Sequence, residues 1–292
     1  MLAMRIAWLA CAGAFTARAL VPGFPRRCAT ARRAAADGGA PARELLPLMP
    51  FGSDEVLIPG QSRYLHLYEA RFLALFDHAT KECGDDVVLG FFAGDNALLR
   101  CATRARVDRW ERLDVGVGVT LRGVSRCSIA GVDQTEDHPF LLCALEDLAD
   151  APGGGGGETA AAEIRALADE VDALAARHDI DAGRSKEIAV DPRAMVDEAD
   201  VGDVARSGSL GDRVAALSAD ARAGDATDAE LLSFLALEGA PPDLKLRMLA
   251  STSRAERLDA AKAELERQKA ELAAKASLKS ALSGLSWGDE DP

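Results

Sequence analysis

Few residues in this 292-residue chain have the type and spacing that chemistry requires. Gly284-Leu285-Ser286-Trp287-Gly288 fits the G-x-S-x-G nucleophile elbow, which needs a strand before the serine, a helix after it, and Asp and His partners later in the chain. Here a helical pattern precedes the serine and only four residues follow the motif, none of them histidine. The match reads as chance, in a disordered tail over 284–292. The four histidines, His66, His78, His138 and His178, include no H-x-x-x-H pair, so metal-assisted hydrolysis has no ligand set. His178 suits a helix C-terminus, where the macrodipole favours positive charge, and His78 reads as a surface position. Cys83, Cys101, Cys127 and Cys143 are widely spaced, and no C-x-x-C pair suggests zinc. Cys127 and Cys143 fall in apolar, strand-like runs that suit buried thiols. Disulfides among the four would fit a secreted protein and not a plastid stromal one. A phosphate-cradling G-x-x-x-x-G-K-[ST] loop is missing, because the dipeptide Gly-Lys never occurs. The reading is therefore no catalytic residue, no metal and no cofactor.

Two charged constellations remain. Glu69 and Arg71 stand two residues apart at a strand-to-helix junction, so they need not face each other. Glu69 would favour the positive end of a helix, and Arg71 would lay its stem over the sheet. Such junctions are also common binding edges, so ligand contact stays open. Arg104, Arg106, Arg109, Arg112, Arg122 and Arg126 make a locally basic β region, able either to receive an acidic partner or to balance nearby acids.

The elements that would position these groups follow from periodicity. Leu45–Met49 is an apolar strand, Pro50–Asp54 a turn, and Val56-Leu57-Ile58 a second apolar run stopped by the turn dipeptide Pro59-Gly60. Leu65–Tyr68 alternates as a half-buried strand should, and a helix runs through Thr80 with Phe72, Leu75, Phe76 and Ala79 on one face. Val87–Phe92, Val115–Leu121, Arg126–Val132 and Phe140–Leu145 read as further strands. Several short strands with one early helix suggest a small, partly closed β-barrel. Five glycines, Gly153–Gly157, end this region as a flexible break. Thr159–His178 is helical, with Ile164, Leu167, Val171 and Leu174 as its stripe; 179–225 is acidic and weakly periodic, partly helical near Leu210–Leu217 or mobile. Two capping boxes, Thr227-Asp228-Ala229-Glu230 and Ser253-Arg254-Ala255-Glu256, start later helices. The last helix reaches about Leu282 with Leu258, Ala261, Leu265 and Leu272 buried and a Glu271–Lys275 pair exposed.

The order L-P-L, Pro59-Gly60, Leu65-His66-Leu67-Tyr68-Glu69 and Arg71-Phe72 resembles the amino-terminal substrate-binding (LON) domain of Lon proteases. Gly123-Val124-Ser125-Arg126-Cys127 resembles that family's G-x-x-R-F element, with Cys127 where an aromatic is usual, and His138–Ala144 resembles its P-Y-x-x-A strand. The junction from Leu249 through Ser253, Glu256, Arg257 and Leu258 resembles its L-x-x-x-S-x-x-E-R-L closing helices. The resemblance covers about 44–281, with an ill-matched middle over 150–225. It implies an α+β fold: a PUA-like, partly closed β-barrel lobe over 44–150, a linker and variable insert over 151–226, and a helical lobe over 227–283 ending in a long helix. It also implies recognition of polypeptide clients, with Tyr64, Leu67 and Tyr68 as candidate contacts that could equally be core. Pro59, Gly60, Glu69, Arg71, Phe72, Gly123 and Arg126 are motif positions read as structural. Full Lon proteases continue into an ATPase and a Ser–Lys peptidase, neither of which is expected here. The alternatives are an adaptor delivering clients to a separate protease or ligase, and an RNA-binding PUA-like module.

Seven of the 34 basic residues and one of the 47 acidic residues lie in 1–43, so the remainder carries 27 against 46, a net of −19. So acidic a body disfavours nucleic acid. The basic start reads as a targeting presequence: an n-region Met1–Arg5, an apolar run Ile6–Ala14 too short to span a bilayer, small residues at Ala12–Ala14, Phe15, then an acid-poor Arg/Ala stretch. This resembles the two-part presequence of algae with secondary plastids. The expected location is the plastid, with secretion or the mitochondrion as alternatives, and no membrane span in the mature chain.

Overall fold

The computed structural model describes residues 45–93, 97–134, 137–151, 157–178, 209–219 and 228–283. The presequence, the glycines at 153–156, the insert over 179–208 and 220–227, and the G-x-S-x-G segment lie outside the described residues. Six strands form one sheet: β1 (Leu45–Gly52), β2 (Ser62–Leu67), β3 (Asp86–Phe92), β4 (Leu98–Arg112), β5 (Val117–Asp133) and β6 (Leu141–Asp147). Six helices complete the described chain: α1 (Ala70–Glu82), α2 (Gly157–His178), α3 (Leu210–Ala219), α4 (Asp228–Leu235), α5 (Pro242–Ala250) and α6 (Arg254–Ser283). The α+β expectation holds.

The strand order is β2-β5-β4-β3-β1-β6, and β6 also pairs with β5, so the ladder returns on itself and leaves β2 outside the circuit. One strand makes this possible. The first part of β5, Val117–Arg122, pairs with β2, and its last part, Cys127–Asp133, pairs with β6. The sequence reading splits this stretch into two strands; the structure makes it one of 17 residues. Bulges at Arg104/Ala105 and Val107/Arg109 of β4, where the register against β5 shifts, let the long pair twist without breaking. A second correction concerns Pro50–Asp54: β1 runs on through Gly52, because Pro50, Phe51 and Gly52 align in parallel with Gly90, Phe91 and Phe92 of β3.

Two apolar layers result. Leu46, Leu48, Val88, Ala102, Cys127, Ile129 and Cys143 come from the five strands of the circuit and pack together. The larger core lies against α1 and the helical lobe and includes Leu57, Phe91, Leu121, Ile164, Phe234, Leu258 and Leu265. Val56-Leu57-Ile58 joins no ladder, yet it is buried in that core. Its backbone is satisfied in another way: the Thr103 hydroxyl donates to the Leu57 carbonyl at 2.6 Å.

The helical lobe is organised by α2 and α6. Lys262 pairs with Glu163 at 2.7 Å and Lys269 pairs with Glu170, both at a sequence offset of 99, so the two helices run parallel in a fixed register. Leu272 packs with Val171 and Ala175 along that seam. The α6 stripe Leu258, Ala261, Leu265 and Leu272 is buried as its spacing requires, and Lys275 meets Glu271 at 2.7 Å. At the start of α6 the Glu256 amide donates to Ser253 Oγ at 3.2 Å, one half of the capping box. The other half is diverted, since the Glu256 carboxylate accepts from the Ser251 hydroxyl at 2.5 Å.

Candidate functional site

Two of the singled-out sequence elements meet at one point. Gly60 donates its amide to the Gly123 carbonyl at 2.8 Å, and the Gly123 amide donates to Gln61 O at 2.9 Å, so the Pro59-Gly60 turn docks on the middle of β5. A Cβ on residue 123 would lie 2.5 Å from Ile58 O, closer than any side chain tolerates. Gly60 has φ +84°, and a Cβ there would meet Leu235 of α4 at 2.7 Å. Gly123→Ala should therefore lower stability by about 1–3 kcal/mol through forced backbone displacement, read as a fall in the chemical-denaturation midpoint at unchanged m-value.

Arg126 and Arg257 stand at the centre of the junction between sheet and helices. Both side chains are buried, Arg257 with none of its surface exposed. Asp150, just after β6, serves three guanidinium groups. It accepts from Arg257 at 2.7 Å, from Arg254 at 3.2 Å, and from Arg126 through its other oxygen. Arg257 also donates to Ser251 O at 2.9 Å and Ser233 Oγ at 3.1 Å, and Arg126 donates to Ser251 O as well. The guanidinium carbons of Arg257 and Arg126 lie 4.8 and 5.9 Å from the Phe234 ring centroid. Arg126 Nε is buried without a hydrogen bond and faces Glu230 Oε1 at 3.7 Å. Burial pushes the Asp150 carboxyl up, but the Arg257 hydrogen bond and the charges of Arg257 and Arg126 outweigh it and hold the group below the usual carboxylate range. The network joins β5 through Arg126, the segment after β6 through Asp150, α4 through Ser233 and α6 through Arg254 and Arg257, so it fastens the sheet to the helices.

The candidate contacts separate. Leu67 is 6% exposed and belongs to the core, which removes it from any surface role. Tyr68 is 56% exposed, with its ring edge-on to His66 at 5.7 Å. Tyr64 is half-buried, lies over Gly118 and donates to Glu111 at 3.3 Å. Close by are two residues that sequence reasoning passed over, Trp110 at 53% and Val115 at 67% exposure. Trp110 aligns with Val119 on β5, which aligns with Leu65 on β2, and its ring meets Phe76 edge-on at 5.6 Å. Val115 is tied to β2 through its carbonyl, which accepts from His66 Nε2 at 2.6 Å. The signal for Trp110 was present in the chain, since a tryptophan inside Arg109–Arg112 interrupts an otherwise charged run. β2 pairs with β5 on one side only, so its other edge meets no strand among the described residues. An unpaired edge that runs into Tyr68, with Val115 held against its His66, can add an extended segment and shelter apolar side chains.

The remaining positions make contacts within the chain. Arg71 pairs with Glu69 at 2.8 Å on the surface and its guanidinium stacks over Phe72 at 4.6 Å, so the two charges do face each other. Glu69 is the N-cap residue of α1 but its side chain makes no capping hydrogen bond. His78 is a half-buried residue against His138 and Phe140, rather than a surface one. In the basic β region, Arg104 and Arg106 both hold Asp86, Arg122 pairs with Asp108, and Arg126 with Asp150. Burial pushes the Cys127 thiol up to about 12 and raises Cys143 as well, which keeps both protonated and unreactive.

No family model matches the chain, and no curated protein does. Among solved structures it is similar to the N terminal domain of Mycobacterium avium complex Lon protease, at 16% identity and a TM-score of 0.45 over 78% of this chain and 98% of that one. It is also similar to a Lon N-terminal domain protein from Xanthomonas campestris, at 19% identity and a TM-score of 0.33 over 41% and 71% of the two chains.

Proposed function

We propose that this chain is a non-catalytic polypeptide-recognition module of the Lon N-terminal type, which binds extended, unfolded segments along the free edge of β2. The observation that carries the reading is that edge, which runs into the exposed Tyr68 and has the exposed Val115 tied to it through His66, with the exposed Trp110 two strands in on β4. An open strand edge is normally blunted by charge, proline or cover; here Arg63 is the only Lys, Arg, Asp or Glu of β2, and the exposed Tyr68 follows the strand directly. The resemblance in motif order supports the same reading, because Pro59-Gly60, Gly123 and Arg126 are the residues that fix β2 and the junction in place. Delivery of bound clients to a separate protease is a role that suits such a recognition module, and the basic, acid-poor start of the chain suggests that it operates in a plastid. Titration of a fluorescent, reduced and alkylated model polypeptide tests the reading. Saturable binding with a shallow salt dependence supports it. Tight RNA binding with a steep salt slope and no polypeptide binding would replace it. The pairing of Arg104, Arg106, Arg122 and Arg126 with internal acids favours the first outcome.

A further inference from the structure

The docking of the Pro59-Gly60 turn on β5 sets the hydrogen-bonding phase of β2. Gly123 donates to Gln61 O at 2.9 Å and accepts from the Gly60 amide at 2.8 Å, so Gln61 and Gly123 form a bonded pair. The antiparallel register continues without a shift from Ser62 opposite Arg122 to Leu67 opposite Val117. In such a ladder bonded and non-bonded pairs alternate. Arg63, Leu65 and Leu67 therefore direct their amides and carbonyls at β5, and Ser62, Tyr64 and His66 turn theirs to the open side. Among the described residues no other group meets those outward amides and carbonyls.

The two faces of β2 differ as well. On one, Leu65 aligns with Val119 and Val119 with Trp110, while Leu67 aligns with Val117. Leu67 and Val119 belong to the main core, and the half-buried Leu65 and Val117 pack against it. Arg63 lies on this face too, but it donates to Glu55 O at 2.7 Å, which confines the apolar stretch to Leu65 and Leu67. On the other face Tyr64 aligns with Thr120 and then Arg109, and His66 with Gly118 and then Glu111. Tyr64 lies across Gly118 to reach Glu111, as residues of one face must.

We propose that the client is an amphipathic extended segment that adds antiparallel to β2 and alternates apolar residues, opposite Leu65 and Leu67, with polar residues opposite Tyr64 and His66. Opposed residues share a face, so the first set extends the apolar row and the second joins the polar one. The backbone bonds go to Tyr64 and His66. The client residues that hydrogen-bond to the edge are thus not the ones that bury apolar surface. Antiparallel addition continues the ladder that β5 begins; in a parallel pair the bonds would slant to the flanking residues and reverse this assignment. The class excludes an amphipathic helix and has no use for an uninterrupted apolar run. This inference rests on the polypeptide reading above.

The test uses the full chain and labelled, end-capped octapeptides. One alternates leucine and serine, and one has the same composition in two blocks. Two more are N-methylated forms of the first, on the central serines or on the central leucines. The alternating peptide is expected to bind about tenfold more tightly than the blocked one. Methylating the serine amides removes the donors to the edge and should weaken binding about tenfold or more, while methylating the leucine amides, which point away from β2, should cost less than about threefold. Loss on leucine methylation, alone or equal to that on serine, would overturn the antiparallel arrangement and leave polypeptide recognition standing. Equal binding by all four peptides would overturn the alternating class, again without touching that reading. If none binds, both fall.

Discussion

Asp150→Ala is expected to lower stability by about 3–5 kcal/mol, the cost of stranding buried charge when one partner of an ion pair is removed. One carboxylate serves Arg126, Arg254 and Arg257, so its loss leaves three guanidinium groups facing one another, with Glu230 at 3.7 Å as the nearest remaining acid. Arg257→Met should cost less than Asp150→Ala, because it removes charge and retains apolar volume against Phe234. The double variant should be less than additive, as expected for groups in one network. Denaturant unfolding of the four proteins in a cycle measures this. The pH dependence has a defined sign. Asp150 is held below its ordinary value, so its contribution is complete above the unfolded pKa of about 3.9 and is lost as pH falls through the lower folded value. The unaltered protein should therefore lose stability more steeply below about pH 4 than Asp150→Asn, which has no proton to take up there.

The second large effect is on binding. Truncating Tyr68 and Trp110 to alanine together should weaken an extended apolar peptide by about 2 kcal/mol or more, near thirtyfold, as for aromatic anchors at the centre of an interface. Tyr68 should act with little change in stability, because more than half of it is exposed and it holds no core contact. Trp110 meets Phe76, so its truncation will carry a modest folding cost that a melting curve separates from binding. Equal loss from Leu278→Ala, an exposed leucine on α6 remote in sequence from β2, would point to nonspecific apolar adsorption instead. Anisotropy titrations at constant salt read all of these.

Much of this architecture was legible because it is local. The stripe Leu258, Ala261, Leu265 and Leu272, the Glu271–Lys275 pair and the Pro59-Gly60 turn are set by spacing within one or two turns of chain. What escaped depends on partners distant in sequence. Asp150 lies in an unremarkable loop, and its partners are 24, 104 and 107 residues away. β5 is one strand because β4 pairs with it from Val117 to Ser128, across the break between the two expected strands, which no window of eight residues records. Leu67 and Tyr68 are neighbours in an alternating run, yet alternation could not say which faces water until β5 was laid beside them. Trp110 and Val115 lie at the end of the β4–β5 hairpin, and their exposure depends on how that end packs, which local spacing does not record.

Hydrogen exchange on the full chain, with and without a saturating unfolded polypeptide, tests the central claim most directly. Added strand pairing should slow exchange in Ser62–Tyr68 selectively, with weaker protection at Trp110–Gly116 and none in the outer turns of α6. Binding that leaves Ser62–Tyr68 unprotected and slows exchange only in the helical lobe would contradict recognition at the β2 edge.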